Sequence, residues 1–119
     1  MFQQDYILRQ IEMLTAAIAR IVFHRDTVTY EQPEGEVLTE GGGLRGDLIV
    51  MIGQGRLGEA EDLLFQHLRP GGREELLIAV DFYERVARLT DEELARGHFS
   101  REEILQGLTD AAGVFGVHL

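Results

Sequence analysis

The sequence predicts an all-α protein, a small bundle of about five to six helices, and three observations predict it. Apolar residues recur at spacings of three and four through most of the chain, which is typical of amphipathic helices. Two helix-start signals occur in the last third of the chain. The length of 119 residues fits one compact domain, 1–119, that can bury a core without a disulfide or a metal.

Composition limits the classes of function. The chain has 21 acidic and 11 basic residues, a formal net charge of -10, and no cysteine. Phosphate backbones and anionic membranes repel a charge of this sign, so we expect neither nucleic acid nor a membrane as partner. The sequence contains no apolar run long enough to cross a bilayer, and its start lacks the pattern of a secretory signal. We therefore expect a cytoplasmic protein.

Residues 2–24 are predicted to form one long amphipathic helix. Its apolar stripe has spacings of four and three residues and contains Ile7, Ile11, Leu14, Ile18 and Ile21. Further apolar residues widen that stripe, namely Phe2, Tyr6, Met13, Ala17 and Val22. The spacing also matches about two heptads of a coiled coil, whereas a sustained seam needs roughly three or four. The helix therefore either packs inside its own bundle or mediates a homodimer through 2–24.

Residues 25–43 are predicted to form a long connection between helices. Thr27 to Tyr30 could be a short strand, and an acidic, turn-like stretch follows it. The connection closes on the glycine triplet 41–43, which cannot form a stable helix interior. Connections of this length are unusual in a compact domain and are often mobile or functional.

Three further helices are predicted between residues 44 and 89. The first two, 44–54 and 57–68, form a hairpin with its turn at Gly55 and Arg56. The third spans 73–89, and its apolar positions are Leu76, Leu77, Val80, Tyr83, Val86 and Ala87. Phe82 lies off this stripe, so it either marks a partner surface or widens the core face.

The clearest local signals are two capping boxes, Thr90 to Glu93 and Ser100 to Glu103. In each, the hydroxyl can accept from the backbone N–H three residues later, and the glutamate can reach back to the cap. They predict helices that begin at 91 and 101, with Gly97 ending the first. The apolar stripe of the second contains Ile104, Leu108, Ala111 and Phe115.

A glycine motif supports a different interpretation. Gly53, Gly55 and Gly58 form G-x-G-x-x-G after the apolar run 48–52, and a second apolar run ends at Asp81. A dinucleotide-binding unit has this order of elements: a strand, a glycine turn, a helix, a second strand and an acidic residue. Against it, nothing after Asp81 reads as a strand, and two parallel strands cannot make a core of that kind. A small dinucleotide-binding protein or enzyme is therefore the alternative hypothesis.

Two resemblances support the helical prediction. Gly55, Ala60 and Leu64 match the turn glycine, the small contact residue and the following apolar position of a tetratricopeptide hairpin, although one hairpin is too few for a solenoid. The segments 4–11, 59–65 and 99–104 together resemble a family of small bacterial proteins of unknown function. That resemblance implies an all-helical, tetratricopeptide-like fold and a bacterial cytoplasmic source. It carries no activity and therefore no functional residue.

The remaining chemistry-bearing residues do not form a recognisable site. The four histidines, His24, His67, His98 and His118, lack metal-ligand spacing. Ser100, the single serine, is explained as a helix cap. We therefore predict no catalytic, cofactor-binding or metal-binding residue, and a non-enzymatic helical domain that works by protein–protein contact.

Overall fold

A computed structural model describes residues 2–24 and 43–118 of the chain, with side chains described from Tyr6 onward. Within these ranges the protein is all-α, a compact globule of six α-helices without a strand, as predicted. The helices are α1 (Phe2–Ile18), α2 (Gly43–Gly53), α3 (Leu57–His67), α4 (Arg73–Ala87), α5 (Asp91–Arg96) and α6 (Arg101–Phe115). No described helix is both long and apolar enough to span a bilayer. The short strand and nearly all of the connection predicted over 25–43 lie outside the described residues, while Gly43 is the first residue of α2 and not part of the connection.

The predicted helix over 2–24 is present, but its last part is not α-helical. Residues Ala19–Phe23 form a π-helical turn that continues α1. His24 then ends the helix in the left-handed conformation, with φ of 57°. The change from α to π alters which residues face the core, because a π turn closes with one more residue than an α turn.

Helices α2 and α3 pack together as the predicted hairpin. Gly55 has φ of +76°, a conformation that favours glycine, and it turns the chain between the two helices. The backbone N–H of Arg56 donates to the carbonyl of Met51 at 3.0 Å and closes the turn. On α3 the residues Leu57, Ala60 and Leu64 are buried, and Ala60 and Leu64 are two of the positions that match the tetratricopeptide hairpin.

Helix α4 lies at the centre of the molecule and contacts α2, α3 and α6. Its buried residues surround most of its circumference and are Leu76, Ile78, Ala79, Val80, Phe82, Tyr83 and Val86. Phe82 is therefore a core residue, and its interpretation as a partner surface is wrong. The ring of Phe82 meets that of Tyr83 edge-on, with centroids 4.9 Å apart.

Both predicted capping boxes are formed. The amide of Glu93 donates to the Thr90 hydroxyl at 3.1 Å, and the amide of Glu103 donates to that of Ser100 at 3.2 Å. Each glutamate also accepts from the backbone of its cap residue. Arg101 joins the two helix starts, because it pairs with Asp91 and donates to a backbone carbonyl at the end of α4. These bonds fix the first residues of α5 and α6 at 91 and 101, as the sequence predicted.

Candidate functional site

The most exposed apolar surface of the described chain lies on α1. Tyr6, Met13 and Ile21 are 63%, 66% and 51% exposed, and we call these three residues the outer face of α1. They lie seven and eight residues apart, about two helical turns each, so they follow one line along the helix. The interpretation of Tyr6 and Met13 as core-side residues that widen the inward stripe is therefore wrong.

The π turn explains why Ile21 belongs to this outer face. A regular α-helix would bring position 21 back to the inward stripe after Ile18. Because the π turn holds about one residue more, the next inward position is Val22, which is buried together with Ala19. The prediction that Ile21 faces the core is wrong for this reason.

A groove between α1 and α6 adjoins the outer face. It has a volume of about 440 Å³ and is lined by Tyr6, Ile7, Gln10, Glu102, Leu105, Gln106 and Thr109. The Thr109 hydroxyl donates to the carbonyl of Leu105 at 3.0 Å, so its donor is already used within the helix. Since Tyr6 belongs to both the groove and the outer face, the two form one continuous surface.

Residues 1–24 also differ from the rest of the chain in charge. Their two acids, Asp5 and Glu12, are balanced by Arg9 and Arg20, whereas residues 43–118 carry 14 acids against eight arginines. The outer face of α1 therefore belongs to a segment without net charge in a protein whose net charge is -10.

A second feature is a buried tyrosine beneath an acidic cleft. Tyr83 is fully buried on α4, and its hydroxyl donates to the carboxylate of Glu61 on α3. The cleft has a volume of about 290 Å³, and its other acidic lining residues are Asp62, Glu103 and Asp110. The sequence carries no signal for this pair, because its members are 22 residues apart and their contact depends on how α3 packs on α4.

The protonation of this pair follows from its surroundings. Burial raises the pKa of Glu61 above its ordinary 4.5, the hydrogen bond from Tyr83 opposes that rise, and the carboxylates of Glu103, Asp62 and Asp110 add to it. Burial, and then the bond to Glu61, raise the pKa of Tyr83. The hydroxyl therefore keeps its proton and acts as a donor to the carboxylate.

The glycine motif does not lie between two strands. Residues 48–52 belong to α2 and Asp81 belongs to α4, so the strands that the dinucleotide interpretation required are helices. Asp81 accepts from Arg85 at 2.9 Å and lies 3.3 Å from the Nε of Arg45 on α2. Asp81 therefore forms one ion pair within α4 and one that joins α4 to α2. The dinucleotide-binding interpretation is wrong in predicting strands at these two places.

The three motif glycines lie at the hairpin instead. Gly53 ends α2, Gly55 makes the turn, and Gly58 lies in the first turn of α3. Arg56, between them, pairs with Glu59 and donates to the side chain of Gln54 at 3.1 Å. The motif suggested a turn between a strand and a helix, whereas the structure has a turn between two helices, α2 and α3.

The four histidines are exposed and lie on different parts of the molecule. His24 ends the π turn and His67 ends α3, while His98 follows α5 with φ of 54°. Among the residues that the structure describes, no three His, Cys, Asp or Glu side chains are grouped as metal ligands. Ser100 caps α6, as its position in the sequence predicted.

Comparisons with known proteins agree with the sequence resemblance at the level of the family. Nothing among the curated proteins matches the chain, and no solved structure matches it. The likeness of α2 and α3 to a tetratricopeptide hairpin therefore stays a prediction. A family of unknown function, DUF6483, matches residues 1–116. This match covers nearly the whole chain, and the protein belongs to that family.

Proposed function

We propose that this protein is a non-enzymatic, cytoplasmic helical domain that works by protein–protein contact and forms a homodimer through α1. One observation carries the proposal: three large apolar side chains, each more than half exposed, follow one line on the outer face of α1. Single exposed apolar residues are ordinary on protein surfaces, but several aligned along one helix beside a groove are typical of an interaction site.

The energetics favour covering this face. Fully burying a side chain the size of methionine or isoleucine stabilises by roughly 1.5–3 kcal/mol relative to leaving it exposed. Tyr6, Met13 and Ile21 are 51–66% exposed, so covering them contributes a part of this figure for each residue. A second copy is a suitable partner because residues 1–24 carry no net charge. Nucleic acids and anionic membranes are unsuitable partners, because the net charge of -10 repels them.

Light scattering against concentration tests this proposal. We expect the wild-type mass to rise from one chain toward two across the micromolar range. The variant Met13→Asp is expected to raise the dissociation constant by at least about tenfold, because it places a carboxylate in the middle of the apolar line. Met13 is 66% exposed, so this substitution leaves the core intact.

Val50→Asp is the matched control. Val50 is 56% exposed on α2, outside the outer face of α1, and the substitution adds the same charge. It should dimerise as the wild type does. A wild type that stays strictly monomeric at high micromolar concentration would contradict the proposal, and so would equal effects of the two variants.

A further inference from the structure

The outer face of α1 is almost symmetric about its middle residue. Tyr6 lies seven residues before Met13 and Ile21 lies eight residues after it. A second α1 that runs in the opposite direction therefore brings Met13 beside Met13, and Tyr6 of each copy beside Ile21 of the other. A surface that is its own complement under a two-fold rotation is what an isologous dimer requires.

The charge that follows α1 favours the antiparallel direction. The helix ends at His24 and leads into residues 25–42, which contain one arginine and five acids. A parallel pair would start both acidic stretches side by side. An antiparallel pair starts them at opposite ends of the outer face, about 23 Å apart for the 15 steps from Tyr6 to Ile21. That distance exceeds the Debye length of about 8 Å at physiological salt.

The arginines of α1 favour the same direction. In a parallel pair Arg9 and Arg20 of one copy lie near the same residues of the other, and like charges repel. In an antiparallel pair Arg20 comes beside Tyr6 of the second copy, where a guanidinium can lie over the aromatic ring. The helix dipoles also oppose each other in this direction, so each positive end meets a negative end.

We infer that two copies pair through the outer face of α1 in antiparallel orientation, with the two-fold axis beside Met13. This inference rests on the proposed function, since it assigns the partner and its orientation on that same surface.

Disulfide trapping tests the orientation, because the chain has no cysteine of its own. A disulfide forms only when the two Cα atoms come within about 7 Å, so trapping reports proximity of specific positions. We expect Met13→Cys to form a covalent dimer under mild oxidation at least about tenfold faster than Val50→Cys, which measures random collisions. Tyr6→Cys alone and Ile21→Cys alone should not exceed that control. An equimolar mixture of the two should give the mixed dimer.

The possible failures are distinguishable from one another. Rapid trapping of Tyr6→Cys alone and Ile21→Cys alone would show a parallel pair and overturn the inference. Trapping of Met13→Cys no faster than Val50→Cys, with a wild type that dimerises in light scattering, would overturn the inference and leave the proposed function standing. A wild type that is monomeric in light scattering would overturn both.

Discussion

Tyr83 brings a hydroxyl into the core, and Glu61 is the acceptor that satisfies it. Leaving a buried hydroxyl without a hydrogen-bond partner costs about 1–3 kcal/mol of folding stability. The bond to Glu61 avoids this cost, although it keeps the carboxylate partly out of water. The cleft collects three more acids around Glu61, which add to the rise of its pKa. The hydrogen bond from Tyr83 thus stabilises the ionised carboxylate of Glu61, whereas burial and the neighbouring acids destabilise it.

Replacing Glu61 with glutamine separates these two effects. The amide still offers an oxygen to Tyr83, while the charge is removed. Because the folded state raises the pKa of Glu61 above 4.5, ionisation of this group destabilises the fold, and wild-type stability increases as pH falls through the folded pKa. We expect Glu61→Gln to raise the free energy of unfolding at pH 7 by less than about 1 kcal/mol, since solvent screens a half-buried group.

Urea denaturation of wild type and variant at pH 7 and near pH 4 measures this difference. It should shrink at the lower pH, where wild-type Glu61 is mostly protonated in both states. Asp62→Asn is the control, because it removes the same charge from an exposed neighbour that does not bond to Tyr83. A Glu61→Gln variant that is less stable than wild type at pH 7 would contradict the expected sign.

Among the elements, α6 is the helix whose packing depends most on a single missing side chain. Gly107 faces Tyr83 so closely that a Cβ built there would lie 2.2 Å from the tyrosine hydroxyl and 2.4 Å from Cζ. Tyr83 cannot retreat, because its ring is fully buried. The glycine is therefore what lets α4 and α6 approach each other at this point.

We expect Gly107→Ala to lower the free energy of unfolding by about 1–3 kcal/mol, the usual cost of overpacking a core. Gly113→Ala, in the same helix, is the matched control. Its Cβ would meet no atom closer than 4.0 Å, so alanine there should stabilise by up to about 1 kcal/mol through helix propensity. Thermal or urea unfolding of both variants measures the contrast, and equal stabilities would show that the close approach does not constrain the fold.

The elements also show which signals the sequence carries. Both capping boxes act within four residues, and each helix begins where its box predicted. The turn at Gly55 is equally local. The π turn after Ile18 has no comparable local signal in the sequence, and it coincides with the burial of Ala19 and Val22. Periodicity alone therefore placed Ile21 on the wrong side of α1.

At the scale of the whole molecule, the sequence predicted the all-α class and the order of the described helices, since amphipathic stripes and caps repeat along the chain. It did not predict which helix becomes central. Phe82 is buried because α4 is covered by three neighbours, and that depends on tertiary packing. The sequence predicted only that the helix over 2–24 could mediate a homodimer. Which of its residues are exposed depends on how α1 packs against the other helices.

The net charge gives the whole molecule a testable salt dependence. Each copy carries -10, so in the proposed dimer the two copies repel each other through their net charge while contact between their apolar faces holds them together. Raising sodium chloride from about 0.1 M to about 1 M shortens the Debye length from about 10 Å to about 3 Å. We expect the dimer dissociation constant to fall by at least about threefold over this range.

Sedimentation equilibrium measures this constant, with circular dichroism at both salt concentrations to check that the helices are unchanged. A dissociation constant that rises with salt would show that attraction between charges, not contact between apolar side chains, holds the copies together.

The contact between α1 and α6 has a consequence for how the protein is made. These two helices pack extensively against each other, and α6 packs about as extensively against α4. During translation α1 leaves the ribosome first and α6 last of the described helices. The inward face of α1 therefore stays exposed through most of synthesis. The turn between α3 and α4 is also incomplete until then, because the amide of Gly71 donates to the carbonyl of Phe115 at the end of α6. The nascent chain can therefore complete the core of the described helices only after α6 has been translated.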